Sequence, residues 1–156
     1  ILLNYSVNNN IVTDCSACIG GNSVYFLSNY KHVNIIEKDK ETHDILVKNT
    51  SRFKNKTIYN CSYNILKFML KQDVIFIDPP WGGLNYKSSK NVDLYLDSVN
   101  VLDIINELYN FCKIVCLKVP NNYNFDSLSS DFWENKVHNI YKNKVVIYKI
   151  IIFYKK

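Results

Sequence analysis

The chain has 156 residues, enough for a single domain with one sizeable hydrophobic core. Hydrophobic residues form 47% of it and charged residues 21%, which is ordinary for a globular protein. The most hydrophobic stretch, 147–154, is too short to span a membrane and is interrupted by Lys149. The net charge of +5 permits an anionic partner such as RNA without requiring one.

The cysteines and the start of the chain bear on where the protein acts. Five cysteines, an odd number, favour reduced thiols, so we expect an intracellular protein of the nucleus, the cytoplasm or a viral replication site. Cys15 and Cys18 have the spacing of a metal-binding pair, but no second pair or paired His completes a zinc site, and we expect no metal. Because the chain begins at Ile1 and its single Met is Met69, we expect that an N-terminal portion has been removed. We predict one domain, 1–156, that acts as a monomer without a membrane partner.

Strand and helix patterns alternate along most of the chain. The end of a helix over 1–7 and a turn at Asn8–Asn10 precede the first strand. Short apolar runs predict strands at 11–15, 33–36, 57–60, 74–77 and 114–119. Helical spacing predicts helices at 23–30, 40–49, 64–70, 101–111 and 126–133. We expect Asn22 to cap the first of these helices. The polar segment 82–98 is typical of a long functional loop, 120–122 of a turn, and 137–141 with 145–153 of a terminal hairpin over Lys142 and Asn143. This order predicts an α/β domain whose sheet is mostly parallel, with an antiparallel tail.

The most informative segment follows the fourth predicted strand. After Val74–Ile77 come Asp78, two prolines, Trp81 and two glycines. Prolines have no backbone N–H and a fixed φ, so this segment is a stiff extended loop and neither a central strand nor a helix interior. The loop holds the Asp78 carboxylate and the Pro79 carbonyl as two fixed hydrogen-bond acceptors beside the flat face of Trp81. A plain Pro-Pro turn with a core Trp is the alternative for this motif taken alone.

Two acceptors beside an aromatic plane suit a planar base that carries an exocyclic amine. The amine donates hydrogen bonds to Asp78 and to the Pro79 carbonyl while the ring stacks on Trp81. Conjugation with the ring makes such an amine a poor nucleophile, and these hydrogen bonds favour a pyramidal nitrogen whose lone pair is aimed at a methyl donor. We therefore predict Asp78 and Pro79 as the catalytic residues, with Asp78 positioning the amine rather than acting as a strong base.

A second informative segment spans 12–22. A strand, an acidic residue at Asp14, a loop with Gly20–Gly21 and a helix form the pattern of a nucleotide-type cradle. Asp14 at a strand end suits a cationic ligand, such as the ammonium and sulfonium groups of S-adenosylmethionine. About 20 residues further on, Glu37 ends the second strand, where a carboxylate can bind both ribose hydroxyls. A plain turn and a solvated acid are the alternatives for these features taken separately, whereas together with Asp78 they predict one crevice along the carboxyl ends of strands one, two and four.

These motifs resemble those of the class I S-adenosylmethionine-dependent methyltransferases, and within that class the trimethylguanosine synthase group of RNA cap guanine-N2 methyltransferases. The resemblance runs from about Ile11 to the C-terminus and rests on Asp14 with 19–22, on Glu37, on 73–83 followed by Tyr86, and more weakly on 119–122. It implies a Rossmann-like fold with a mostly parallel seven-stranded sheet, an antiparallel C-terminal hairpin and helices on both faces. It also implies methyl transfer from S-adenosyl-L-methionine to the N2 amine of the 7-methylguanosine cap of an RNA.

The resemblance assigns a role to each matching residue. Cofactor contacts are implied for Asp14, Ala17, Gly20, Gly21, Asn22, Glu37 and Asp78, and Ser62 stands in for an acid that binds the adenine amine in other members. Substrate contacts are implied for Trp81, Tyr86, Lys118 and Asn121, with Lys87, Lys90 and Lys118 as candidates for the cap phosphates. A 7-methylguanine ring carries a positive charge, so stacking on Trp81 gains a cation–π energy of about 0.5–2 kcal/mol over neutral guanine.

The chain departs from the family pattern at several positions. Cys18 stands where the first Gly of the loop is usual, Cys61 and Ser62 replace a Gly-Asp pair, and Asp78 stands where many cellular members have Ser. The family also has an N-terminal helical extension that helps to bind cap and cofactor, and we expect it to be absent or cut off here.

Two other functions stay open on the sequence alone. An adenine-N6 methyltransferase uses the same Asp-Pro-Pro-Trp chemistry on DNA or RNA, but it usually needs a target-recognition region for which 156 residues leave little room. A degenerate, non-catalytic cap- or RNA-binding module is favoured by Ser62 and the missing N-terminus, and is opposed by the intact motif from Asp78 to Trp81.

Overall fold

A computed structural model describes residues 1–5, 10–128 and 130–155, apart from the side chains of Leu84, Asn85 and Ser127. Most of the turn predicted at Asn8–Asn10 and the last two residues of the helix predicted over 1–7 lie outside the described residues. In the described ranges, no helix is long and apolar enough to cross a membrane.

Strands and helices alternate along the described chain, as the sequence predicts. The strands are β1 (Ile11–Asp14), β2 (His32–Ile36), β3 (Lys56–Tyr59), β4 (Val74–Ile77), β5 (Tyr95–Leu96), β6 (Val99–Asn100), β7 (Ile114–Val119), β8 (Trp133–Lys142) and β9 (Val145–Lys155). The helices are α1 (Leu2–Tyr5), α2 (Gly21–Leu27), α3 (Lys40–Asn49), α4 (Tyr63–Leu66) and α5 (Val101–Glu107), with 3₁₀ turns at Gly83–Ser88, Leu108–Asn110 and Phe125–Ser127. Helix α3 has its predicted bounds, and Asp39 caps it by accepting a 2.8 Å hydrogen bond from the backbone N–H of Thr42.

The sheet determines where the loops meet. Within the described residues it has seven strands in the order β3-β2-β1-β4-β7-β9-β8, and β5 and β6 form a separate small hairpin. Strands β3, β2, β1, β4 and β7 are parallel neighbours, whereas β9 runs antiparallel to β7 and β8 antiparallel to β9. The predicted mostly parallel sheet with its antiparallel C-terminal hairpin is confirmed. The carboxyl ends of β1, β2, β4 and β7 therefore lie side by side at one edge, where such sheets bind ligands.

Helices cover both faces of the sheet, as predicted. On one face α4 and α5 bury Tyr63 and Ile104, and on the other face α2 and α3 bury Phe26 and Leu46. All four side chains of the central strand β4 are buried, which agrees with the unbroken apolar run that predicted this strand. Strand β4 leads directly into Asp78, so the rigid middle of the sheet fixes the position of this carboxylate.

The prediction of a helix at 126–133 is wrong. A single 3₁₀ turn over Phe125–Ser127 takes its place, and Trp133 begins strand β8. Tertiary packing explains the difference, because the buried Trp133 indole N–H donates a 3.0 Å hydrogen bond to the Ile105 carbonyl and anchors the start of β8 beside α5. The C-terminal hairpin is accordingly longer than predicted, and it turns one residue later.

Three further features differ from prediction. Helix α2 begins at Gly21, so Asn22 lies within it rather than capping it, and the preceding Gly20 supplies no side-chain cap. The segment 82–98 is more ordered than a plain loop, since it holds a 3₁₀ turn and the β5–β6 hairpin. Helices α4 and α5 end earlier than predicted, at Leu66 and Glu107, and each continues as a turn.

One glycine of the first loop is tightly surrounded and supplies a test of the fold. Gly20 has a φ of 97°, and a Cβ built on it would lie 2.8 Å from Cδ1 of Leu46. We expect Gly20→Ala to lower the free energy of unfolding by about 1–3 kcal/mol, measured by urea denaturation. Gly21→Ala is the matched control, because a Cβ there meets nothing within 4 Å. Equal denaturation midpoints for the two variants would contradict the steric explanation.

Candidate active site

The loops at the carboxyl ends of the parallel strands enclose a cavity of about 520 Å³, which we call the first cavity. This volume suits a small-molecule ligand. Of the residues predicted to bind the cofactor or to act in catalysis, its wall contains Ala17, Gly21, Asn22, Glu37, Asp78 and Pro79. The crevice predicted along strands one, two and four is therefore present, although three predicted cofactor residues lie outside its wall.

The loop between β1 and α2 is shaped by backbone hydrogen bonds. The N–H of Ala17 donates to the carbonyl of Ile36, and the N–H of Gly20 donates to the carbonyl of Ala17, both at 2.9 Å. The loop thus folds against the end of β2 and presents Ala17 and Gly21 to the first cavity. Gly20 forms the turn and borders a separate shallow depression rather than the first cavity, so its predicted cofactor contact stays a prediction.

Glu37 directly follows the last residue of β2 and lines the first cavity, as the predicted contact with the ribose requires. Its Oε2 accepts a 2.9 Å hydrogen bond from the backbone N–H of Cys18, and its Oε1 accepts one of 2.8 Å from that of Asp39. These two N–H groups fix the carboxylate in place, and each oxygen keeps a second lone pair for a ligand hydroxyl. Cys18, at a positive φ of 50°, therefore has a role that sequence reasoning missed, because its backbone orients Glu37.

Asp14 does not line the cavity. Its side chain is fully buried, its Oδ2 accepts a 2.6 Å hydrogen bond from the Ser23 hydroxyl, and its Oδ1 has no partner among the described residues. Burial raises the pKa of Asp14 to about 7, and the hydrogen bond from Ser23 opposes this shift only in part. The predicted direct contact with a cationic ligand group is therefore corrected, since Asp14 joins β1 to α2 behind the site.

Hydrogen bonds from three side chains hold Asp78 at the corner after β4. The Ser16 hydroxyl donates a 2.9 Å hydrogen bond to the Asp78 backbone carbonyl. The Asp78 carboxylate accepts at Oδ2 from Lys118 Nζ at 2.7 Å and from the Asn22 side-chain amide at 3.4 Å. Among the described residues Oδ1 has no hydrogen-bond partner, and Asp78 borders the first cavity beside the buried Pro79. Asp78 can therefore accept one more hydrogen bond, from a ligand.

A second cavity, of about 660 Å³, adjoins the first. The two cavities share Lys38, Pro80 and Asp97 in their walls. Because Pro80 is two residues from Asp78, a ligand in the second cavity lies close to the corner that borders the first. Trp81 and the loop between β1 and α2 therefore line adjoining cavities, as the single crevice predicted from the sequence requires.

Aromatic side chains dominate the second cavity. Trp81, Tyr86 and Tyr95 line it, and the first two make an edge-to-face contact with ring centroids 5.5 Å apart. The Asn122 amide holds this loop by donating a 2.7 Å hydrogen bond to the Tyr86 carbonyl. The Trp81 indole N–H is buried and has no acceptor in the part of the chain that is described, at a cost of about 1–3 kcal/mol that a Phe would avoid. Trp81 also packs against the buried core on this side of the sheet, so its indole both covers the core and lines the second cavity.

Two residues predicted to bind substrate lie elsewhere than expected. Lys118 does not extend into solvent for a phosphate, because its ammonium is paired with Asp78 and lies 5.6 Å from the ring centroid of Trp81. Asn121 lines neither cavity, and its amide donates a hydrogen bond to the Val146 carbonyl in β9. Lys118 is therefore part of the site as the partner of Asp78, whereas the structure gives the predicted contact by Asn121 no support.

Ser62 also lies behind the wall of the first cavity rather than in it. Its hydroxyl donates to Oδ2 of Asp97, and its oxygen caps α4 by accepting a 3.2 Å hydrogen bond from the backbone N–H of Asn64. Asp97 lines both cavities and is also ion-paired with Lys38. The structure gives the predicted direct cofactor contact of Ser62 no support, and places Ser62 beside a carboxylate that does reach the cavity.

Sequence reasoning missed a group of residues that the β2–α3 loop and the β5–β6 hairpin bring to the site. They are Lys38, Asp93, Tyr95, Leu96 and Asp97. Four of them lie in the segment 82–98, which the sequence predicts as a functional loop, but their individual roles do not follow from the sequence because their contacts to the site are all distant along the chain. The residue type at the turn is the one feature of the sequence that points to this hairpin. Asp97 and Ser98 both adopt positive φ, and Asp is among the residues favoured at such positions of tight hairpins.

The strand order and the position of the ligand cavity define the class of protein. A mostly parallel seven-stranded sheet that ends in an antiparallel hairpin, with a cavity over the carboxyl ends of β1, β2 and β4, is the Rossmann-like fold of the class I S-adenosylmethionine-dependent methyltransferases. The family model of the RNA cap guanine-N2 methyltransferases matches residues 9–154, and the chain belongs to that family. The chain therefore has both the fold and the family membership of the S-adenosylmethionine-dependent methyltransferases.

A viral protein is a close relative in sequence. The chain is 37% identical over 123 residues to the uncharacterized protein L320 of Acanthamoeba polyphaga mimivirus. The alignment covers 74% of this chain and 48% of L320. The chain thus spans about half the length of that relative.

Solved structures share the fold at low sequence identity. An rRNA methylase from Streptococcus thermophilus has a TM-score of 0.65 at 8% identity, over 95% of this chain and 87% of the other. SMU.1697c of Streptococcus mutans, solved in complex with S-adenosylhomocysteine, gives 0.63 at 12% identity, over 95% and 89%. A dimethyladenosine transferase from Plasmodium falciparum gives 0.64 at 16% identity, over 99% and 60%.

The buried Asp14 predicts how stability changes with pH. Its pKa is about 7 in the folded chain against an ordinary 3.8, so the folded state binds the proton more tightly and loses stability as pH rises from about 4 to about 7. Asp14→Asn removes this loss. We expect the free energy of unfolding of Asp14→Asn relative to wild type to increase between pH 5 and pH 8, by on the order of 3 kcal/mol.

Urea denaturation at several pH values measures this difference. Asp39→Asn is the control, because hydrogen bonds from Thr42 lower the pKa of the exposed Asp39, and its stabilisation is already complete at pH 5. A difference for Asp14→Asn that stays constant from pH 5 to pH 8 would show that Asp14 is ionised throughout.

Proposed function

We propose that this methyltransferase transfers a methyl group from S-adenosyl-L-methionine to the exocyclic N2 amine of the 7-methylguanosine cap of an RNA. The observation that carries this proposal is the second cavity, in which Trp81, Tyr86 and Tyr95 surround a space beside the Asp78 corner. Membership of the RNA cap guanine-N2 methyltransferase family supports the same substrate. We further propose that the protein acts inside the cell, in the nucleus, the cytoplasm or a viral replication site, and as a monomer.

The residues of the first cavity fit S-adenosylmethionine. Glu37, already held by two backbone N–H groups, can accept hydrogen bonds from both ribose hydroxyls. Ile36, Tyr63 and Leu96 give the cavity apolar walls that suit the faces of an adenine ring. When bound, S-adenosylmethionine supplies an electrophilic methyl group, and Asp78 lies in the same cavity wall.

The second cavity suits a flat, positively charged base. Trp81, Tyr86 and Tyr95 offer ring faces, and a cationic 7-methylguanine stacked on Trp81 gains about 0.5–2 kcal/mol over neutral guanine. Two carboxylates, Asp93 and Asp97, line the same cavity and favour positive charge in it. An adenine target is neutral and would gain from neither feature.

The Asp78 corner holds the amine that is to be methylated. Lys118 and Asn22 fix Oδ2 of Asp78, so Oδ1 is the oxygen that can accept an N–H of the amine. A second N–H donates to the carbonyl of Pro79, whose ring keeps that segment stiff. With both N–H groups engaged the nitrogen lone pair is directed to the methyl donor, and this positioning supplies most of the rate acceleration. Asp78 then accepts the proton, which becomes acidic as the new C–N bond forms.

Trp81→Ala separates cap binding from cofactor binding. Trp81 lines only the second cavity, so we expect the variant to lose cap-analogue affinity about 10- to 100-fold while its affinity for S-adenosylhomocysteine changes less than about 3-fold. Calorimetric titration of both ligands measures the two effects. Tyr141→Ala, an exposed ring on the terminal hairpin that lines neither cavity, is the matched control and should change neither affinity. An equal loss of both ligands in Trp81→Ala would contradict the assignment of the second cavity.

Asp78→Asn tests the chemistry of the corner. The variant keeps the shape of the side chain but removes the charge that stabilises the developing positive nitrogen, so we expect kcat to fall about 100-fold and KM for capped RNA to change little. Single-turnover methylation of a 7-methylguanosine-capped RNA measures it. Unchanged turnover would remove Asp78 from the reaction.

The same assay separates this substrate from its alternatives. Capped RNA, uncapped RNA and adenine-containing DNA are offered with labelled cofactor. Methylation of 7-methylguanosine-capped RNA alone supports the proposal, and labelled adenine in either nucleic acid would identify an adenine-N6 methyltransferase. Binding of the cofactor and the cap with no methylation of any substrate would identify a non-catalytic cap-binding module.

A further inference from the structure

The turn of the β5–β6 hairpin brings a carboxylate into the first cavity from outside the family motifs. Asp97 occupies this turn at a positive φ of 52°. Its side chain is 16% exposed and lines both cavities. The backbone of this position belongs to the hairpin and not to the loop after β3, where the family usually carries its acid, although Ser62 of that loop contacts the Asp97 carboxylate.

Two donors hold the Asp97 carboxylate in one orientation. The Lys38 ammonium binds Oδ1, and the Ser62 hydroxyl donates to Oδ2. Although partial burial raises the pKa of Asp97, these two hydrogen bonds outweigh it and keep the pKa below its usual value. A carboxylate offers about four lone-pair positions, so an ionised Asp97 still has room for a ligand donor on each oxygen.

The surroundings of Asp97 identify the part of the ligand that it meets. Cys61, Tyr63 and Leu96 make this end of the first cavity apolar, so a flat ring can be buried there. The Asn60 amide donates to the carbonyls of both Glu37 and Lys38, at 2.9 and 3.0 Å, and thereby joins the loop after β3 to the acid that suits the ribose. The ring bound beside that ribose is the adenine, and its exocyclic amine is its one strong donor.

We propose that Asp97 accepts a hydrogen bond from the exocyclic amine of the cofactor's adenine, and so replaces the acid that the family usually carries where this chain has Ser62. The assignment deepens the proposed function, because it takes S-adenosylmethionine as the ligand of the first cavity. It does not depend on the identity of the methyl acceptor. Ser62 and Lys38 act as positioning residues for Asp97.

The test compares two ligands that differ only in the amine. S-adenosylhomocysteine and its analogue with purine in place of adenine are titrated calorimetrically against wild type, Asp97→Asn and Asp97→Gly. Asn and Gly both tolerate a positive φ, so neither substitution strains the hairpin turn, and thermal unfolding checks that each variant folds. Asp44→Asn is the matched control, because it breaks an exposed Lys–Asp pair with Lys40 that lies outside both cavities.

We expect wild type and Asp44→Asn to bind S-adenosylhomocysteine at least about 10-fold more tightly than the purine analogue, as a hydrogen bond to a charged acceptor predicts. In Asp97→Gly the preference should fall to about 1, through loss of affinity for S-adenosylhomocysteine and not for the analogue. Asp97→Asn should lie between the two.

Three results would overturn the assignment. They are a preference that persists in Asp97→Gly, an equal loss of both ligands in that variant, and a wild type that binds neither ligand. A wild type that shows the preference but does not methylate capped RNA would contradict the proposed acceptor and leave the role of Asp97 intact. The two proposals therefore fail separately.

Discussion

The ion pair between Asp78 and Lys118 depends on the register of two neighbouring parallel strands. Ile77 of β4 pairs with Leu117 of β7, so the next residue of each strand lies beside the other on the same face of the sheet. A slip of one residue would turn Lys118 to the opposite face and leave the carboxylate without its ammonium. The prolines after Asp78 then stop β4, so the strand ends where the carboxylate is needed. The position of the Asp78 carboxylate beside Lys118 therefore depends on the register of the sheet.

Several groups at the site are energetically unfavourable where they stand. Asp14 is buried with one oxygen unpartnered among the described residues, and Trp81 buries an indole N–H with no acceptor there. Burying the indole N–H in this way costs about 1–3 kcal/mol, and burial raises the pKa of Asp14. Cys18, Asp97 and their positive φ values add backbone strain in the same region. Costs of this kind also occur elsewhere in the described ranges, at the unpartnered Asn64 Oδ1 in α4 and at the positive φ of Asn143 and Lys144 in the terminal hairpin, so they do not by themselves mark the site.

The parts of the molecule that follow from local pattern could be read from the sequence. The β4 run, the bounds of α3 and β7, the corner at Asp78 and the acid at Glu37 each come from residues that are adjacent in the chain. Trp133 shows the opposite case, because its place at the start of β8 depends on a hydrogen bond to α5, 28 residues earlier. Asp97 depends in the same way on Lys38 and Ser62, and only the folded chain brings these three side chains together. Asp14 was assigned to the cavity from its position at a strand end, and the structure turns its carboxylate towards Ser23 instead.

The proposed preference for a cationic base needs more than one aromatic ring. A cation–π energy of about 0.5–2 kcal/mol at Trp81 corresponds to only about a 2- to 30-fold preference over neutral guanine. Lys118 already lies 5.6 Å from the Trp81 ring centroid, and a second positive charge within about 4 Å of its ammonium would be repelled by about 4 kcal/mol at an effective dielectric constant of 20. Asp78, 2.7 Å from that ammonium, offsets much of this repulsion, and stacking on the side of the indole away from Lys118 lowers what remains. In the second cavity a cationic base then lies near Asp93 and Asp97, whose negative charges favour it and are not fully neutralised by Lys38. Selectivity for a methylated cap in this site would thus arise from the position of Lys118 and the two acids as much as from the indole itself.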